Sequence, residues 1–267
     1  MEELLFNLEI DEEDGSAEIL VEGIIGEKNY CFLLDTGAAK TSVKTDDYIA
    51  KYHSIGESHS NGVFSSLSEQ KIVIPNIEVG PLIKENFTIC RTNENLDHKK
   101  NLIGMDFLKE YSYCFYFDEN KIMVNQNTEL LKMTLEDLVL DRKGYQPYIN
   151  VHYGETMASA VWDTGAGITV VDVNFIKNNP SYFEEIGTSM GTDSTGTSIN
   201  TPEFLMSSTI IGKHRFPFHR VVGVDLSRVN STAKIRMDLI LGYSTLSKAN
   251  WFFDFPREKW AILSMLE

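Results

Sequence analysis

Cysteine is scarce: Cys31, Cys90 and Cys114 are the three in a chain of 267 residues. An odd number confined to the first half is no disulfide framework, so a reducing compartment is expected. Basic side chains are also in deficit, with 24 Lys and Arg against 39 Asp and Glu and a formal net charge of −15. The clusters Lys99-Lys100 and Lys213-His214-Arg215 are too short for an electrostatic nucleic-acid interface. No stretch approaches the ~20 apolar residues that span a bilayer. Met1-Glu2-Glu3 is acidic where a secretory signal starts basic, so a cytoplasmic location is expected. The six histidines lack a His-Glu-x-x-His spacing and the cysteines lie far apart, so no metal or other cofactor is expected. Nucleic acid and membrane are set aside as partners on the same grounds.

What is present is enough apolar material, 42% of residues, for a real core, and a repeat. Tyr30-Cys31-Phe32-Leu33-Leu34-Asp35-Thr36-Gly37-Ala38 is followed by Thr41 and Val43. Ala158-Ser159-Ala160-Val161-Trp162-Asp163-Thr164-Gly165-Ala166 is followed by Thr169 and Val171. A second landmark follows each: Leu102-Ile103-Gly104 in the first half and Ile240-Leu241-Gly242 in the second. Aromatic runs ending in Asp118 and Asp254 come after both. Two landmarks in the same order in both halves imply a duplicated unit. The expected organisation is an N-terminal unit over 1–127, a connecting segment over 128–146 and a C-terminal unit over 147–267.

The pattern is mainly β with a few short helices. Strands are expected at 17–25, 29–35, 71–79, 87–91, 113–118 and 121–125, and again at 147–153, 157–163, 203–211, 216–224, 250–255 and 259–264. Short helices fit 45–51, 105–111, 172–178 and 243–249. Leucine spacing predicts a further helix over 128–140. The Ser-, Gly- and Thr-rich stretches 53–70 and 187–202 read as mobile loops or hairpins at equivalent positions.

Asp35 and Asp163 each end an apolar strand and precede Thr-Gly, where the chain must turn. Glycine there lets the backbone turn and approach a ligand. A carboxylate placed after Phe32-Leu33-Leu34 or Ala160-Val161-Trp162 is poorly solvated and needs a partner. If the halves pack about a pseudo-two-fold axis, each aspartate is the other's partner. Two close carboxylates then share a proton, one serving as base toward a water and the other as acid toward a carbonyl oxygen.

The Asp-Thr-Gly-Ala segments, Thr41-Ser42-Val43, Thr169-Val170-Val171 and the two hydrophobic-hydrophobic-Gly elements resemble pepsin-retropepsin type aspartic peptidases. The resemblance spans roughly 17–126 and 147–264. It implies two pseudo-symmetric β-rich lobes of the acid-protease barrel type and an active site between them, with Asp35 and Asp163 catalytic. It also implies that Thr36 and Thr164 brace the loops, with Gly37, Ala38, Gly165 and Ala166 completing them. Gly37 and Gly165 would present carbonyls to a peptide or protein substrate, under hairpins from 53–70 and 187–202. Phe64, the only aromatic residue near the first tip, is a further substrate-binding candidate. With both aspartates in one chain, a monomer suffices.

Two departures bear on substrate. Ala39-Lys40 and Gly167-Ile168 stand where retropepsins commonly carry acids that hold the substrate main chain, so no specificity pocket carries over. Ala38 and Ala166 replace the hydroxyl residues usual in pepsins, which points to activity nearer neutral pH. The main reading is an aspartic endopeptidase. Its competitor is a non-catalytic peptide-binding or scaffolding module that retains the fold. Gly187-Thr188-Ser189-Met190-Gly191 matches a hydrolase elbow in spelling, but its polar surroundings read as a loop.

Overall fold

Strand Ala17–Ile25 sets the pattern of the molecule: Ala17, Ile19, Val21, Gly23 and Ile25 are buried, with less buried residues between them. That two-residue period is what a sheet with one packed face requires. The computed structural model describes residues 2–12, 15–92, 99–125 and 134–266. Within them the protein is mainly β with a few short helices.

The strands form three sheets. An eight-stranded sheet is drawn from residues 7–103, and a ten-stranded sheet from residues 139–241. The third has six strands and takes members from both halves of the chain. In it, Ser112–Tyr116 lies antiparallel to Ala249–Asp254, with Tyr113 opposite Phe253. The aromatic runs near 115 and 253 thus pair with each other at the centre of this sheet. Their side chains close on Trp162: its ring lies 4.3 Å from Phe253 and 4.8 Å from Phe115, centroid to centroid. Each such buried ring removes ~150–250 Å² from water, an upper bound of about 4–6 kcal/mol at 25 cal/mol per Å². The residue after Trp162 is Asp163, so this aromatic mass underlies the second aspartate loop.

The first two sheets share an arrangement. Leu33 and Leu34 run parallel to Leu102 and Ile103. Val161 and Trp162 run parallel to Ile240 and Leu241. Each hydrophobic-hydrophobic-Gly element therefore lies beside the strand that carries its aspartate. A Cβ on Gly104 would meet the Ala38 carbonyl oxygen at 2.9 Å, and one on Gly242 the Ala166 carbonyl oxygen at 2.6 Å. Only glycine lets these backbones touch. The helices that follow are single turns, Met105–Leu108 and Tyr243–Leu246.

Several expectations are corrected. The helix expected over 128–140 falls partly outside the described residues. From 134 to 140 the chain forms two short strands instead, Glu136–Asp137 and Val139–Leu140. These pair with Lys259–Met265 and Pro147–Tyr153, so inter-strand bonding overrides the leucine spacing. The unit boundary at 127/128 also lies outside the described residues. Strand 203–211 is broken into Ser198–Met206 and Thr209–Ile211, and strand 216–224 into His214–Phe216 and His219–Val224. The helix at 45–51 shrinks to the 3-10 turn Ile49–Lys51, capped by Asp46 through the Tyr48 and Ile49 N–H groups. The stretches 53–70 and 187–202 are hairpins, Ser54–Asn61 with Ser66–Val79 and Phe183–Thr192 with Ser198–Met206. The Gly-x-Ser-x-Gly spelling lies within strand Phe183–Thr192, not in a loop or a strand-to-helix elbow.

Among the described residues no helix is long and apolar enough to cross a membrane. Among the same residues, no group of three or more His, Cys, Asp or Glu stands close enough together to hold a metal ion.

Candidate active site

The two Asp-Thr-Gly loops meet. Asp35 N–H donates to the Ile103 carbonyl and Asp163 N–H to the Leu241 carbonyl, both at 3.0 Å, so each loop is pinned to its neighbouring Gly element. The threonines then cross between loops. Thr36 Oγ1 donates to the Trp162 carbonyl (2.8 Å) and Thr164 Oγ1 to the Leu34 carbonyl (2.6 Å). In return, Thr36 N–H donates to Thr164 Oγ1 and Thr164 N–H to Thr36 Oγ1, each at 3.1 Å. Both threonines are fully buried. Four reciprocal hydrogen bonds thus fix one loop against the other.

This brings the carboxyls of Asp35 and Asp163 close together, each against the glycine of the other loop. Asp35 is 6% exposed and Asp163 somewhat more. Gly37 N–H donates to Asp163 Oδ1 (3.1 Å), as does Gly165 N–H (2.8 Å), and Ala38 N–H donates to Asp35 Oδ1 (2.7 Å). Burial raises both carboxyls above the ordinary range, Asp35 well above it, where the neighbouring Asp163 charge adds to the effect. The backbone donors oppose the rise without cancelling it. The titration of such a pair belongs to both residues together.

Gly37 and Gly165 are required by close approach. A Cβ on Gly37 would stand 2.7 Å from Asp163 Oδ1, and one on Gly165 2.7 Å from Asp35 Oδ1. A carboxyl is a short group with no flexible end to move. Gly37→Ala is therefore expected to displace Asp163, costing about 1–3 kcal/mol of overpacking and most of any turnover. Thermal unfolding and peptide cleavage measured on the variant check this; unchanged values for both would contradict the geometry.

Behind each loop lies a polar brace that sequence reasoning missed. In the first half Thr41 N–H and Oγ1 both donate to Asp106 Oδ1 at 2.8 Å, and Gly104 N–H donates to Thr41 Oγ1 at 3.1 Å. Burial raises the Asp106 carboxyl, with the Thr41 donors opposing. In the second half the brace is neutral. His219 Nδ1 donates to the Pro217 carbonyl (2.9 Å), because a carbonyl only accepts. Its Nε2 accepts from Thr245 Oγ1 (2.7 Å), which accepts from Thr169 Oγ1 (2.6 Å), which accepts from Gly242 N–H (3.1 Å). Burial pushes His219 down to about 4, consistent with a neutral ring.

The hairpin tips close on each other. Asp193 Oδ2 accepts from Phe64 N–H (2.7 Å) and Ser65 N–H (3.3 Å). Ser65 Oγ also contacts Thr195 Oγ1 (2.5 Å) and accepts from Thr197 Oγ1 (2.9 Å). The Phe64 ring faces Gly191 of the other hairpin. Asp193 was not singled out in the sequence, where Asp193-Ser194-Thr195-Gly196 spells only a turn. Asp193→Ala is expected to speed amide exchange at Phe64 and Ser65 by the loss of about 1 kcal/mol per bond, with core amides unchanged. Equal exchange in variant and parent would show that the contact does not hold the tips. Finally, Gln146 Nε2 reaches from the connection to the Gly37 carbonyl (3.3 Å).

The structure thus brings together Asp35, Thr36, Gly37, Ala38, Asp163, Thr164 and Gly165. Ala166 follows at once, its carbonyl held by Tyr243 N–H (2.8 Å). Phe64 lies away from the dyad contacts, at the first hairpin tip. No protein-family model matches this chain, and no curated protein matches its sequence.

Proposed function

We propose that this protein is an aspartic endopeptidase of two pseudo-symmetric lobes, in which Asp35 and Asp163 share a proton and activate a water. The observation that carries the reading is the close approach of two poorly solvated carboxyls, Asp35 buried and Asp163 partly so, each against the other loop's glycine and each held by backbone donors. Such a pair supplies a base and an acid in one place. The ionised carboxylate accepts a proton from water as its oxygen attacks the peptide carbonyl carbon. The protonated partner donates to the carbonyl oxygen. As the C–N bond breaks, the proton gained by the first passes to the leaving amine and the partner takes back a proton from a hydroxyl of the tetrahedral intermediate, which regenerates the pair. The Thr36–Thr164 crossing keeps the carboxyls in register, as positioning within a fraction of an ångström demands.

The latched hairpins are consistent with a roof that parts for substrate, and the single chain with a monomer. Cleavage of a peptide library, inhibited by pepstatin, tests the proposal. A protein that binds peptides across a broad pH range without cleaving them would instead be the non-catalytic binding module. Neutral-range activity is expected from the raised carboxyls.

A further inference from the structure

The two flanks of the dyad differ in chemistry at positions the sheet register makes equivalent. In the second half Val170 pairs with Val222 on one side and Ile240 on the other. In the first half Ser42 stands in the same place, between Cys90 and Leu102. Two residues further along the outer strand, Val224 matches Thr92, and Ile168 matches Lys40. A repeat of one unit has kept its backbone pairing and changed what its side chains offer.

On the second-half flank these residues form a small apolar cluster separate from the main core. Val222, Val224 and Ile240 are its buried floor; Ile168 and Val170 are its half-buried wall. Ala166, one residue beyond the glycine that touches Asp35, joins it at the dyad end, and Val63 and Phe64 from the hairpin tip close it above. An apolar cluster that runs from the second aspartate loop to the hairpin tip, with a buried floor and half-buried walls, has the form of a side-chain subsite.

The first-half flank has the opposite character. Ser42 Oγ and Thr92 Oγ1 are buried without a hydrogen-bond partner among the described residues. Thr92 pairs with Glu69, whose carboxylate takes an ion pair from the buried Lys99. Hydroxyls left unpaired at a buried place favour a ligand that completes them and disfavour an apolar one.

We propose that the cleft is directional. An apolar substrate side chain, such as Leu, Ile or Val, seats on Val170, Val222 and Ile240 beneath Phe64. A hydrogen-bonding side chain, such as Asn or Gln, faces Ser42 and Thr92 on the other flank. This rests on the peptidase reading above and adds the class of peptide it takes: one apolar and one polar residue on opposite sides of the dyad.

The test is a peptide library randomised on both sides of the scissile bond, read by cleavage with the parent protein and by array binding with Asp35→Asn. An apolar requirement on one side only is expected, with polar residues favoured on the other. Val170→Ser combined with Val222→Thr should reduce the apolar preference at that position about tenfold, the effect of a mismatched side-chain pocket. Ser42→Val combined with Thr92→Val should create an apolar preference at the opposite position. A merely structural role for these residues would lower activity on all peptides alike without changing which residue is preferred, and would overturn the proposal. Equal apolar preference on both sides, by cleavage or by binding, overturns this inference and leaves the peptidase reading standing. Failure of the parent to cleave and of Asp35→Asn to bind any peptide overturns both.

Discussion

Asp35→Asn is expected to lower peptide cleavage by about 10²–10⁴-fold, the usual share of a positioned acid or base, and at the same time to raise the thermal stability of the protein at neutral pH. The first effect follows from the loss of one member of a proton-sharing pair. The second follows from electrostatics. Two close, poorly solvated carboxyls are an unfavourable arrangement once a proton is lost, and an amide removes both the charge and its repulsion. The sign of the pH dependence is fixed by the direction of the shift. The folded pKa of Asp35 is raised above its unfolded value, by burial first and Asp163 second. Stability from that group is fully present below the unfolded carboxylate value and is lost as pH rises through the folded one. The parent should therefore lose stability on going from acid toward neutral pH through this site, and Asp35→Asn should lose less. His219 works in the other direction, since its folded pKa is depressed to about 4 and its contribution is lost as pH falls. The informative quantity is hence the difference in melting temperature between variant and parent across pH, in which His219 cancels. Full turnover by Asp35→Asn, or a difference that does not widen toward neutral pH, would contradict the shared proton.

Thr164→Val should be the most damaging single substitution among the buried residues of the loops. Its hydroxyl donates to the Leu34 carbonyl and accepts from Thr36 N–H. Valine has nearly the same shape and neither function, so the variant leaves one carbonyl and one N–H unpaired in a dry interior. At about 1–3 kcal/mol for each unpaired group, the loss is ~2–6 kcal/mol, or a fall in melting temperature of about 10 °C for a chain of this size. Thr164→Ser, which keeps the hydroxyl, should recover most of it. Equal melting of the valine and serine variants would mean that shape, and not the crossing hydrogen bonds, holds the loops. Cleavage should fall with stability in the valine variant, because the same bonds set the distance between the carboxyls.

The parts of this structure that the sequence discloses are those governed by local pattern and by repetition. Strand Ala17–Ile25 announces itself by alternation, and the two Asp-Thr-Gly loops by occurring twice beside a matching Gly element. What escapes is set by partners distant in the chain. Leu138 carries the spacing of a helix, yet its N–H bonds the Glu258 carbonyl in a strand context. Asp193 finds its partners in the backbone N–H groups of Phe64 and Ser65, and nearly every residue type offers an N–H. No spelling at 64 or 65 could signal that contact. Gln146 is silent for the same reason, since it bonds a backbone carbonyl. The unlike flanks of the dyad were readable only after strand register showed that Ser42 and Val170 stand in equivalent places.

The six-stranded sheet has a consequence for the order in which the molecule assembles. Phe253 stands opposite Tyr113, 140 residues earlier, and Leu4 stands opposite Ile122. Such distant pairings carry a large loop-closure cost before they return any contact, which makes folding slow. The aromatic mass under Asp163 includes Phe253, so the second carboxylate has no finished support until the segment Ala249–Asp254 has docked. A partly folded chain can form its first sheet, and with it the Asp35 loop, while still lacking the second loop that faces it. On the proposed reading, the order of synthesis then delays the paired site, because strands that support the second loop, Ala249–Asp254 and Lys259–Met265, emerge late.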